Sequence, residues 1–151
     1  MASLTLRRRR GSDDSGAELI ELAIVLPILL LVVAAIMDFG FLFQRYEVVT
    51  NAAREGARVA VLPGYGLPQV QARVQSYLTA SGLTAAAPPA TMVIGAQALP
   101  GGLVVSTATV TVQYPSQFAF IGPMAAMIGG SGWGTITLQA SSVMRVEGGG
   151  S

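Results

Sequence analysis

The sequence predicts an α+β protein. A long N-terminal transmembrane helix continues into an extracytoplasmic domain with a short helix and a three-stranded antiparallel sheet. Three observations predict it. Residues 22–37 carry no charge, and residues 39–43 prolong the apolar run beyond Asp38. Residues 44–62 keep a helical period, with small side chains gathered on one side. From residue 91 onward the dominant period falls to two, in segments separated by Gly and Pro.

The apolar run sets the topology. At 1.5 Å per residue, residues 22–37 span about 24 Å, and adding residues 39–43 brings this to about 33 Å, enough for a hydrocarbon layer of roughly 30 Å. Asp38 then falls near the outer headgroups, where a carboxylate costs far less than at the bilayer centre. Pro27 removes one backbone hydrogen bond and is either a simple kink or a functional flexible point. Arg7, Arg8, Arg9 and Arg10 precede the run, and no comparable basic cluster follows it closely. The positive-inside rule keeps the N-terminus in the cytoplasm and places the chain beyond Phe43 outside. A conventional signal peptide fits poorly, because Asp13, Asp14, Glu18 and Glu21 lie between the arginines and the apolar run.

Cutting after Gly16 makes Ala17 the first residue and Glu21 the fifth. A short charged leader ending in Gly, followed by Glu at the fifth position, resembles a type IV prepilin. The acidic residue and Leu-Ala-Ile-Val-Leu-Pro run, Met37-Asp38-Phe39-Gly40, and Thr50-Asn51-Ala52-Ala53-Arg54-Glu55-Gly56-Ala57-Arg58 resemble the TadE-like family of pseudopilins. Roughly the first 60 residues carry the resemblance. It implies a leader (1–16), a transmembrane and assembly helix (17–62) and an extracytoplasmic domain (63–151). It also implies a minor pilin or pseudopilin of a Tad/Flp-type pilus in the bacterial cytoplasmic membrane, with possible surface display after assembly and a part in adhesion or secretion. The implied partners are a prepilin peptidase acting at Gly16 and Ala17, other pilins and the Tad secretion platform, beside the membrane itself.

The spacing to Glu21 also has a physical rationale. A charged Glu drawn to the bilayer centre costs roughly 2.5 to 3.5 kcal/mol. Cleavage before Ala17 frees an α-amino group on every subunit, and in a helix bundle that amine can pair with Glu21 of a neighbour. The plainer alternative leaves Glu21 in the cytoplasmic headgroups. A competing function is an uncleaved single-pass anchor that presents an outer partner-binding module.

In residues 44–62, Glu47, Asn51, Arg54, Glu55 and Arg58 share about one third of the helix circumference, opposite Val49, Ala52, Ala53, Gly56, Val59 and Ala60. The small side admits close approach of the protein's own sheet or of an adjacent subunit. Arg54, Glu55 and Arg58 form either a solvated, internally paired face or an intersubunit contact. Residues 63–66 break the helix. A second helix runs from about Pro68 to Gly82, followed by an Ala/Pro-rich loop over 84–90. Strands are expected over 91–99, 104–114 and 135–147, and residues 148–151 read as a flexible tail. The connection 115–134 holds Phe118, Phe120, Ile121, Met124, Met127, Ile128 and Trp133 among glycines, more apolar surface than a hairpin needs. It either closes the domain's own core or offers an interface to a partner or the membrane surface.

The 151 residues include no Cys and no His, only 11% are charged, the net charge is +1, and mean hydropathy is +0.58. Common zinc sites, His-based acid/base catalysis and thiol nucleophiles are therefore unavailable. All basic residues are Arg, so a P-loop lysine is missing too. The expectation is a non-enzymatic protein with no cofactor or metal and no nucleic-acid partner.

Overall fold

A computed structural model describes residues 13–127, 129 and 134–146. Arg7 to Arg10, Trp133 and the tail 148–151 lie outside these residues. The element order is α1 (Asp13–Ala60), α2 (Leu67–Ala80), β1 (Thr91–Ala98), β2 (Val104–Gln117), α3 (Ile121–Met127) and β3 (Thr135–Arg145).

Helix α1 is 48 residues long and contains Pro27 without interruption. Its length is about 72 Å. It has two regimes. Residues 16–33 are exposed on every side, whereas a buried stripe begins at Ala34 and continues through Asp38, Val49, Ala52, Ala53, Ala57 and Ala60. Spacings of three, four and eleven, with Ala52 and Ala53 adjacent, keep this stripe on one side of the helix. An apolar helix exposed all round is stable only where lipid or other helices replace water.

The C-terminal half of α1 packs against both α2 and the sheet. Val49, Ala52, Ala53, Ala57, Val70, Val74, Leu78, Val110 and Val112 form the centre of the core. The small side of α1 is thus occupied by the protein's own elements. At Gly56 a Cβ would lie 2.7 Å from Val74 Cγ2 and 3.0 Å from Val110 Cγ1, so this helix position holds Gly because α2 and β2 approach together. Glu47, Asn51, Arg54 and Arg58 face outward, and Glu55 is half-buried.

Helix α1 ends at Ala60, slightly before residue 62, and the breaker segment turns through Gly64 at a positive φ. Helix α2 begins and ends a little earlier than the sequence pattern suggests. At its start Gly66 N donates to Gln69 Oε1 at 3.0 Å. At its end Leu83 N donates to Leu78 O, and Gly82 N donates to Thr79 O with Gly82 at φ +81°. This is a Schellman closure, with Leu83 packed beneath it. The loop that follows is held by Ala85 N donating to the buried Tyr114 hydroxyl at 3.2 Å, and by Gln71 Nε2 donating to Ala90 O at 2.9 Å.

The sheet is antiparallel with order β1-β2-β3. Ala108, Val110, Val112, Tyr114 and Ser116 face α1 from the central strand, and Leu138 and Ala140 do so from β3. The opposite face is Thr- and Gln-rich, with Thr111 and Ser141 hydroxyls 2.7 Å apart. At the β1–β2 turn the core runs out: Val104, at the start of β2, is 62% exposed.

Two sequence expectations are corrected in the connection. Strand β2 continues through Pro115 to Gln117, and residues 121–127 form a short helix rather than a plain loop. Pro115 is accommodated near the end of the strand, opposite Thr137. Of the two readings of this segment, closure of the core does not describe residues 118–126, since none of them joins the buried core.

Candidate functional site at the membrane-proximal end

Asp38 is the point at which the two halves of the molecule meet. It is 2% exposed, although α1 is apolar around it. Its Oδ1 accepts from Ala119 N at 2.7 Å and Phe120 N at 3.1 Å. Its Oδ2 accepts from Phe120 N at 3.1 Å and Ile121 N at 2.7 Å. Three consecutive backbone donors leading into α3 thus converge on one carboxylate. Charge-assisted bonds of this kind are roughly twice as strong as neutral ones. The sequence places Asp38 at the outer headgroups; the structure turns its carboxylate inward onto residues 119–121.

Arg45 supplies the second fastening, two turns further along the same helix. Its Nη1 donates to Ser116 Oγ and to Gln117 O, both at 2.8 Å. Ser116 is 1% exposed, and its hydroxyl faces α1 because the alternation of β2 is maintained past Pro115. Asp38 and Arg45 therefore bracket residues 116–121 from a single helix face. Sequence reading missed this pairing. The available signal was a lone acid in a stretch otherwise free of charge.

The aromatic candidates of the connection separate in space. Phe118 and Ile121 are half-buried, while Phe120 is 39% exposed and stacks on Phe41 with centroids 6.5 Å apart. Phe39, Leu42, Phe43, Tyr46 and Leu138 line an apolar depression of about 220 Å³ on α1.

Gly16, Ala17 and Glu21 lie far along α1, in its exposed segment. Helix α1 starts at Asp13, so the Gly16–Ala17 bond lies inside its first turns. Glu18 and Glu21 are both exposed. At the other end of α1, Glu55 bridges Arg58 at 3.4 Å and Arg73 of α2 at 2.8 Å, and Arg54 donates to Asn51. The internally paired reading of this face describes the observed contacts, with the addition of the bond to α2.

Among the described residues one helix is long and apolar enough to cross a membrane, and a sheet and a second helix pack on its C-terminal half, an arrangement that suggests a membrane-anchored α+β protein. Residues 16–58 match the family model described as TadE-like protein, the family that the N-terminal motifs resemble. This segment covers the exposed helix and most of the part of α1 that enters the core. Together with the apolar helix it points to membrane association and a pilus-system context. No curated protein and no solved structure matches the chain.

Proposed function

We propose that the chain is a minor pilin or pseudopilin of a Tad/Flp-type pilus system, a non-enzymatic subunit processed by a prepilin peptidase between Gly16 and Ala17. The observation that carries the proposal is the segment 16–33, exposed on all sides and apolar apart from Glu18 and Glu21 in its first two turns. Such a helix needs lipid before assembly, and a bundle of like helices satisfies it afterwards. The Arg7 to Arg10 cluster keeps the leader in the cytoplasm, where the peptidase reaches it. Cleavage requires the first turns of α1 to unwind locally, and Gly16 lowers the cost of doing so. Glu21 then pairs with the new α-amino group of a neighbouring subunit. Other pilins and the secretion platform are the partners in this reading.

The test is the N-terminal sequence and intact mass of the protein recovered from its membrane. A chain starting at Ala17 supports processing; one retaining Arg7 to Arg10 supports the uncleaved anchor. For Glu21→Ala, membrane insertion should be normal and incorporation into pili reduced. Normal incorporation of that variant would remove the docking role.

A further inference from the structure

The apolar surface of α1 does not end where the folded domain begins. Counting about 20 residues for a hydrocarbon layer of roughly 30 Å, a span that starts after Glu21 ends near Phe41, and one that starts after Glu18 ends near Asp38. Tilt lengthens the stretch required and moves this limit further outward. Intramolecular packing on α1 nevertheless begins at Ala34, and residues 119–121 are fastened to Asp38. The outer edge of the bilayer therefore coincides with the level at which α3 leaves the helix.

The surface at this level suits that position. Residues 115–134 have no charged side chain, and residues 22–44 have only Asp38, whose carboxylate is buried against backbone donors. Phe39 and Phe43 are 65% and 64% exposed, and Phe120 and Met124 are 39% and 37% exposed. Ile136, which pairs with Ser116 at the near end of β3, is 38% exposed. Aromatic and apolar side chains at this depth are characteristic of a membrane–water boundary.

We infer that α3 and Phe120 seat on the outer leaflet, forming with Phe39 and Phe43 an apolar collar whose ligand is the lipid surface. The inference rests on the reading of α1 as a membrane span. Lipid is the occupant because the collar is continuous with the lipid-facing helix and carries no charge for a polar partner. Asp38 makes the collar possible: it satisfies three backbone N–H groups that would otherwise enter a poorly hydrated layer.

The chain contains no cysteine, so single nitroxide labels can be placed in the full-length protein without altering other residues. Leu30→Cys, Met124→Cys and Val143→Cys variants, reconstituted in phosphatidylcholine–phosphatidylglycerol vesicles, would be compared for collision with oxygen, which concentrates in lipid, and with a nickel chelate, which stays in water. Val143 lies on β3 opposite Thr109, away from the end that meets α3, and is 57% exposed. The oxygen-to-nickel ratio at Met124 should lie well above that at Val143 and approach that at Leu30. A ratio at Met124 equal to that at Val143, with Leu30 lipid-like, overturns the collar and leaves the span intact. A water-like ratio at Leu30 overturns both. Exclusion of both reagents at Met124 shows protein covering the face and also overturns the collar.

Discussion

At the scale of the residue, Asp38 shows how one side chain reverses its expected cost. An isolated carboxylate in an apolar helix is unfavourable, yet here it receives four hydrogen bonds from three amides. Replacing it by Ala leaves those amides without their partner, at about 1–3 kcal/mol for each one that stays out of water. Asp38→Ala should therefore release residues 118–126 from α1 while leaving the core folded. The measurement is amide hydrogen exchange: protection at 119–121 falls sharply and protection in β2 around Val110 persists. Glu55 offers a contrast at the solvated end. Its hydrogen bond from Arg73, together with the charges of Arg73 and Arg58, holds its carboxyl below the ordinary value of 4.5, against partial desolvation. A carboxyl lowered in the folded state contributes stability that is complete above its unfolded value and is lost as pH falls through the lowered folded one. Arg73 is 48% exposed, so the contribution is at most about 1 kcal/mol. Glu55→Gln should be slightly less stable than the parent near pH 7, with the difference closing below pH 4.5. Thermal unfolding across that window would show it.

At the scale of the element, α1 was the most legible part of the chain. Its apolar run, its small side and its charged face all follow from period and composition, and the strands β2 and β3 follow from alternation. Gly56 illustrates what the pattern contains and what it lacks. A small residue there predicts close approach, but only the structure shows that α2 and β2 are the elements that approach. Gly56→Leu should destabilise the domain by about 1–3 kcal/mol or more through overpacking against Val74 and Val110, read as a lower denaturation midpoint. Helix α3 was not legible. Its seven residues, with Gly122 and Pro123 near the start, have weak helical preference of their own, and the Asp38 carboxylate that receives the incoming backbone is more than 80 residues away in the chain. The fastenings at Asp38 and Arg45 were hidden for the same reason. Long-range side-chain to backbone bonds leave no periodic trace in sequence.

At the scale of the whole molecule, the core and the apolar segment share one helix. The sequence places these two regions in the right order, and the family match over residues 16–58 crosses the boundary between them. It does not reveal that domain packing begins at Ala34, inside the apolar run. That overlap has a mechanical meaning. Anchor and domain are joined by continuous helix, fastened again at Asp38 and Arg45, so tension applied to the domain along the membrane normal is delivered to the anchor through a stiff rod. In the proposed pilin, a subunit drawn outward would lift as a single piston, and any collar resting on the lipid would emerge before the deeper half of its span. The first surface to need a new neighbour during such a stroke would be the one around Phe41 and Phe120, and Glu21 would be among the last groups to leave.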